Sequence, residues 1–332
     1  MKRAGLVLLV LVAALTLVAP VVAPNPPDMA FRDRSFAPPS RIHVVDPAGN
    51  LVAPFTYPQR LISRLERRYE EDRSKPQPIR WLHNGRLATV TSEGSPLMLL
   101  GADSAGRDIF ARLLHGARTS LALALVGTLG ALAIGMLVGG VAGYSGGVPD
   151  EVLSRIADFV IVLPAIYVVL ALRAVMPLVL PDRAVFAMMA GIFALVGWPF
   201  VARGVRAIIV AERNSEYAQA ASALGASHAR MLRRHLLPAT SGFLAVQATL
   251  LLPAFILAEA TMSYVGLGFS DRTTSWGTML LDASNVALLA DVPWALAPAA
   301  AIFIVVLAVN LVVQGTPEIV LGGVETSASI RR

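Results

Sequence analysis

His43, His83, His115, His228 and His235 are the only histidines in this chain, and it has no cysteine. No two of these histidines are three or four residues apart, the spacing that sets two imidazoles on one helix face, and neither H-E-x-x-H nor G-x-S-x-G occurs. The lack of cysteine excludes disulfides, thiolate zinc sites, iron–sulfur ligation and thiol nucleophiles. Lysine occurs only at Lys2 and Lys75, and neither follows a glycine-rich phosphate loop. The chain therefore carries no Walker A site, and if ATP drives it, another chain binds the ATP. No catalytic, cofactor or metal site is expected. The remaining chemistry lies in four polar residues within apolar runs, Asp158, Arg173, Glu259 and Asn310. Ionisable groups in lipid are functional suspects. Asp158 and Arg173 fall near run ends, and Glu259 is the deepest. It reads either as a proton relay, which would suit a stand-alone secondary transporter or channel, or as a structural hydrogen bond or ion pair.

A second constellation suits docking rather than catalysis. Asn214 or Ser215 can cap a helix, and Glu216 sits in its first turn, where the dipole favours an acid. Tyr217 to Leu224 then carries Ala218, Ala220, Ala221 and Ala223, and Gly225 provides a natural stop. This predicts a short, slim, capped rod. Ala226 to Leu236 reads as a second helix bearing Arg230, Arg233 and Arg234, open to acidic partners or lipid headgroups, and Pro238 opens the next apolar run. The segment is either a plain helical hairpin or an element that inserts into a groove on a soluble protein.

The surrounding elements are those of a membrane protein. The 332 residues are 55% hydrophobic and 15% charged, with a mean hydropathy of +0.64. The net charge of +6 sits largely in loops, as orientation signals do, so nucleic acid is not an expected partner. Six apolar runs approach the length that a bilayer requires, at roughly 4–23, 117–143, 156–180, 184–208, 239–268 and 293–316. The first resembles a signal peptide, but Pro24 would follow the cut and the run is long, so it reads as an uncleaved anchor over 1–23. Lys2 and Arg3 put the N-terminus inside. Alternation then places 209–238 and the tail 317–332 inside, with Arg213, Arg230, Arg233, Arg234, Arg331 and Arg332. Gly127, Gly130, Gly135, Gly139 and Gly143 imply close helix packing in the second run, or less simply a helix lining a moving pathway.

Residues 24–101 are rich in proline and charge, and predict a small folded α+β insert outside the membrane. Leu61, Ile62, Leu65 and Tyr69 recur at helical spacing, and Asn84-Gly85 is a hairpin signal. The insert is expected to help dock a partner or gate its release. Residues 102–316 form the transmembrane domain, with the loop at 213–238.

The loop resembles the "EAA" coupling loop of binding-protein-dependent ABC importer permeases, E-A-A, three residues, G, nine residues, I-x-L-P. Here it reads Gln219-Ala220-Ala221, Gly225 and His235-Leu236-Leu237-Pro238. Gln219 replaces the glutamate, which removes a charge but keeps a hydrogen-bonding group. The stretch from Leu100-Gly-Ala-Asp103 through Gly106-Arg107-Asp108 and Gly116-Ala-Arg118 to Leu121 is similar to the G-T-D-x-x-G-R-D signature of the second permease in dipeptide, oligopeptide and nickel importers, with Ala102 in place of threonine. Gly143-Tyr-Ser-Gly146-Gly147 to Asp150, Leu257 to Gly268, Ser275-Trp276-Gly277 and Asn310-Leu311 match further blocks, so the resemblance covers roughly 100–316.

It implies an all-α type-1 permease with six transmembrane helices, both termini cytoplasmic, in a bacterial cytoplasmic membrane. It also implies as partners a homologous second permease, two ATP-binding subunits that hold ATP-Mg, and an extracytoplasmic substrate-binding protein. By the same resemblance, Glu216, Tyr217, Gln219, Ala220, Ala221, Gly225, Arg230 and Pro238 would couple to the ATPases. The substrate is not readable from this chain.

Overall fold

The computed structural model describes residues 2–46, 49–64, 66–90, 95–164, 166–168, 170–171, 181–284 and 286–314. The chain divides into two compact units: Met1–Leu6 with Leu121–Glu259 and Val306–Arg332, and Val7–Ser120 with Ala260–Val305. Among the described residues, four helices are long and apolar enough to cross a membrane: Ile109–Ser145, Asp182–Glu212, Ser241–Tyr264 and Pro293–Val312. They coincide with four of the six expected runs. The first run folds as two shorter helices, α1 (Lys2–Leu17) and α2 (Ala19–Val22). The third contains α4 (Gly147–Val162), which starts earlier than expected, with Pro149 in its first turn where the missing N–H is harmless. It stops where Leu163, extended because it precedes Pro164, leaves the helical region. Arg173 and the tail 317–332 lie outside the described residues.

In the first unit, α3 (Ile109–Ser145) contributes its Leu121–Ser145 portion, which runs along α5 (Asp182–Glu212). The glycines explain the contact. A methyl built on Gly139 would lie 2.3 Å from the Ala202 carbonyl oxygen, and one on Gly143 2.8 Å from that of Arg206. Gly135 abuts Val201, Gly130 abuts Ala194 and Gly127 abuts Phe193. The sequence spacing thus gives a backbone-to-backbone seam rather than merely a small-residue helix. Phe193 also stacks on Phe255 of α9 (Ser241–Tyr264), with ring centroids 4.8 Å apart.

In the second unit the insert folds as strands. Among its described residues, β1 (His43–Val45), β2 (Leu51–Thr56) and β5 (Gln77–Pro78) form one antiparallel sheet in the order β1-β2-β5, while β3 (Gln59–Ser63) with β4 (Arg68–Glu71) and β6 (Arg80–His83) with β7 (Arg86–Thr89) form hairpins. The expected helix at Leu61–Tyr69 is therefore corrected. Leu61 faces Tyr69 across a strand pair, and Arg67 makes the reversal at a φ of +50°. Cross-strand pairing joins Leu61 and Tyr69, while Ile62 is left exposed and Leu65 lies outside the described residues. Tyr69 packs on Ala37, Met98 and Ala102, and its hydroxyl donates to the Ser35 carbonyl at 2.7 Å. The Asn84-Gly85 turn forms as expected, with both residues at positive φ, 53° and 73°, as a two-residue hairpin turn requires.

Arg118 has an unforeseen role at the end of α1. Pro20 has no N–H for the Thr16 carbonyl, and Val21 turns its N–H to Val18 instead of Leu17. The Arg118 guanidinium fills both places, with Nε donating to Thr16 O at 2.9 Å and Nη2 to Leu17 O at 2.8 Å.

Candidate functional site

The predicted rod forms as α6 (Glu216–Ala223). Ser215 occupies the N-cap position, but its hydroxyl does not cap; it donates back to the Glu212 carbonyl at 2.6 Å, and the Asn214 amide donates to Val210 O at 3.3 Å. The expected side-chain cap is thus replaced by bonds that close the end of α5. Gln219 joins them: its Nε2 donates to Asn214 O at 3.1 Å. A glutamate, an acceptor alone when ionised, could not make this bond. The amide therefore substitutes a neutral internal tie for the charge of the motif it resembles.

At its far end α6 stops in a Schellman motif. Ala226 N–H reaches Ala221 O at 3.1 Å, Gly225 N–H reaches Ser222 O at 3.0 Å, and Gly225 sits at a φ of +80°. Ala218 is buried against Val205, Ile209, Met231 and Leu236, with Ala221 and Ala226 packed alongside. The alanines thus seat the rod at short range. Tyr217 and Leu224 remain exposed, Leu224 to 89%, and the Tyr217 hydroxyl donates to Glu212 Oε2 at 2.7 Å.

The second helix starts later than expected, as α7 (His228–Arg230), because Ala226 belongs to the Schellman turn. It then widens into a π-helical turn over Met231–Leu236, in which Leu237 N–H reaches back to Leu232 O, and continues as α8 (Leu237–Ala239). Pro238 has no N–H and its ring crowds the carbonyl four residues earlier, and the wider turn accommodates it. Arg230, Arg233 and Arg234 are exposed along this stretch.

Two further links root the loop in the helices, and a third ties α5 to α4. The Tyr144 hydroxyl and His228 Nδ1 lie 2.6 Å apart. Arg213 donates to the terminal carbonyls of α3, to Tyr144 O at 3.1 Å and Gly143 O at 3.3 Å. Arg206 holds Asp150 in the first turn of α4, with Nη2 to Oδ2 at 2.7 Å. Between Tyr144, Asn214, Gln219, Ser222 and His228 lies an open cleft of about 700 Å³. The sequence-predicted residues from Glu216 to Gly225 are thus gathered into one exposed projection, with Arg230 and Pro238 on the segment that follows.

The membrane-run candidates behave differently. Asp158 pairs with Arg203, and Asn310 donates to its own helix at Val306 O, 3.0 Å away. Glu259 is fully buried and engaged within the protein.

In the second unit, the Asp103-to-Arg118 signature builds an ionic cluster. Asp103 Oδ1 accepts from the N–H groups of Ala105 and Arg107, both at 2.9 Å, and Oδ2 accepts from Arg107 Nε and Arg112 Nη1, both at 2.7 Å. Arg107 grips Asp271 with both terminal nitrogens, at 3.0 and 2.9 Å. Arg112, the largest fully buried side chain among the described residues, stands 3.6 Å from the same carboxylate. Asp108 lies before α3, where its Oδ1 accepts Phe110 N–H and its Oδ2 accepts the Asn25 amide, each at 2.9 Å. Burial pushes its carboxyl up to about 6 against these bonds. Gly116 leaves room for Ser275, and Trp276 donates its N–H to Ser120 Oγ at 3.1 Å and its Nε1 to Leu113 O at 3.0 Å. Separated sequence blocks thus meet as one polar frame, which no short-range pattern reveals.

Residues 116–320 match the model of the binding-protein-dependent transport system inner membrane component. The chain is 36% identical over 216 residues, 65% of its length and 68% of the relative's, to the oligopeptide transport system permease protein OppC of Bacillus subtilis. It is 34% identical over 208 residues, 63% of this chain and 69% of the other, to OppC of Lactococcus lactis subsp. cremoris. Against the dipeptide transport system permease protein DppC of Bacillus subtilis it is 38% identical over 182 residues, 55% of each chain. With the family match extending over more than half its length, the chain belongs to the inner-membrane components of binding-protein-dependent transport systems, and is an integral membrane permease subunit.

Proposed function

We propose that this chain is one permease half of an ATP-driven peptide importer, coupled to separate ATPase subunits through α6. The observation that carries the reading is the rod: seated on the ends of α3 and α5, stopped sharply at Gly225, and presenting Tyr217 and Leu224 outward. The peptide substrate is inferred from relatives named for oligopeptide and dipeptide transport. In this reading the chain spans the bilayer six times with both termini cytoplasmic, and pairs with a homologous permease so that the pathway lies between them. Two subunits holding ATP-Mg sit inside, and a substrate-binding protein docks outside on the insert at 24–101. Membership of a binding-protein-dependent system supersedes the reading of a stand-alone transporter centred on Glu259.

ATP binding closes the ATPase pair and carries α6 with it. The Gln219, Arg213 and Tyr144–His228 links pass that displacement to α5 and α3. The driving difference is the tighter grip on α6 in the closed state, since a partner shifts an equilibrium only by its differential affinity.

The absence of native cysteine allows a direct test. Leu224→Cys, treated with a thiol-to-amine crosslinker in native membranes, is expected to link to the ATPase subunits, with a yield that changes when ATP is bound. Linkage to no ATPase subunit, with a cysteine at exposed Val148 as the comparison, would remove α6 from this role. Deleting 40–90 is expected to weaken binding-protein association, and unchanged uptake kinetics would remove the insert from docking.

A further inference from the structure

We propose that the β6–β7 hairpin is an interfacial membrane anchor, its Trp81 and Leu82 entering the boundary between headgroups and acyl chains while Arg80 reaches lipid phosphate. The inference rests on the reading of the first apolar run as a membrane span. That run, Lys2 to Val22 in α1 and α2, rises about 30 Å at about 1.5 Å per residue, the thickness of a hydrocarbon core. Leu11, Leu15, Leu17, Val18 and Val21 are exposed along it, as a lipid-facing helix requires.

The hairpin is fixed at the far end of this run. Strand β7 packs on α2, and Arg86 donates from Nη1 to the carbonyl of Pro24, just beyond that helix. The strand pair Arg80–Thr89, Trp81–Ala88 and His83–Arg86 makes it a short, stiff unit. It therefore sits at the level where the chain leaves the hydrocarbon.

Its side chains suit that level. Trp81 is 59% exposed, Leu82 78% and Leu87 40%, three large apolar side chains left in the open on a hairpin too small to have a core. Leu82 adopts a φ of +51°, which a side chain of its size rarely takes, and the conformation holds the leucine outward. From Arg80 to Thr89 there is no acidic residue, whereas two arginines and His83 accompany the tryptophan. Tryptophan with flanking arginine is the composition of a lipid–water interface, the ring lying among headgroups and the guanidinium on phosphate. A protein partner would cover the same patch, but the continuity with the end of α1 and α2 favours lipid.

The test uses the full chain, purified with the subunits that accompany it and reconstituted in phosphatidylcholine/phosphatidylglycerol nanodiscs. A nitroxide is placed at Leu82→Cys, and separately at Trp81→Cys so that the unusual backbone at Leu82 does not decide the result. Leu51→Cys, on β2 and 84% exposed, gives a water reference, and Leu11→Cys tests the span itself. Collision rates with oxygen and with a water-soluble nickel chelate are compared. The anchor predicts an oxygen-to-nickel ratio several-fold above that at Leu51 for both hairpin labels, between the values at Leu51 and Leu11. A water-like ratio at both hairpin positions with a lipid-like one at Leu11 overturns the anchor alone, and low collision with both reagents means that protein covers the hairpin and also overturns it. A water-like ratio at Leu11 overturns the span reading and the anchor with it.

Discussion

Gly225 is where backbone geometry alone should decide coupling. A methyl built on it meets nothing within 4 Å, so any effect of a side chain there arises from its φ of +80° and not from a clash. Holding an L-residue in the left-handed region costs about 1–2 kcal/mol, which shifts the balance between the closed Schellman turn and a frayed one by about 5–30-fold. Valine, stiff at χ1, should lie at the upper end, alanine below it, and asparagine, which tolerates this conformation, close to glycine. Fraying releases the Ala226-to-Ala221 and Gly225-to-Ser222 bonds and with them the end of α6. The assay is stimulation of ATP hydrolysis by the binding protein in reconstituted complexes, with membrane insertion and subunit assembly measured in parallel. Gly225→Val should assemble but lose most of its stimulation, Gly225→Ala should be intermediate, and Gly225→Asn should retain it. Full stimulation in the valine variant, or an asparagine variant as defective as valine, would refute the argument from backbone conformation.

The seam and the ionic cluster give three more expectations. Gly139→Leu must push α3 away from the Ala202 carbonyl, so the variant should show a markedly lower Tm in detergent and a loss consistent with overpacking of about 1–3 kcal/mol or more. Arg112→Met removes one of the two guanidiniums on Asp103 Oδ2 and leaves Arg107 in place, so it should destabilise by about 1.5–3 kcal/mol, the range for a hydrogen bond to a charged group, while Asp271→Asn, at an exposed carboxylate, should lower Tm only slightly. Asp108 has a carboxyl raised from 3.8 to about 6, so the native state binds more protons than the unfolded one between these values. Its contribution is greatest below 3.8 and is lost as pH rises through about 6, by up to about 3 kcal/mol. A Tm profile across this range should flatten in Asp108→Asn; an unchanged slope would assign the dependence to other groups.

What could be read from the chain depended on how locally each feature is determined. The rod at 216–225 was legible because a small-residue helix and its glycine stop are fixed by neighbours, and Asn84-Gly85 was legible because two adjacent positive φ values demand such residues. Leu61, Ile62, Leu65 and Tyr69 misled because few apolar residues fit either a helix face or a strand pair, and the reversal at Arg67 carries no glycine to mark it. The caps were misjudged at Ser215, whose hydroxyl prefers the carbonyl of Glu212. The Asp103–Arg112–Asp271 cluster and the service of Arg118 to Thr16 and Leu17 join residues far apart in the chain. The charged types were visible in the sequence, but the partners were not. Arg118 had one local sign: Pro20 deprives a carbonyl of its usual donor.

The glycine seam between α3 and α5 has two walls and a single steric allowance. Where Gly130 faces the Ala194 methyl at 2.9 Å, volume gained on one wall can be surrendered on the other, and Gly130→Ala should be rescued by Ala194→Gly. Where Gly139 faces the Ala202 backbone no such exchange exists, because a carbonyl has no methyl to give up. Sequence drift along this seam is therefore reciprocal at one level and forbidden at another on the same helix.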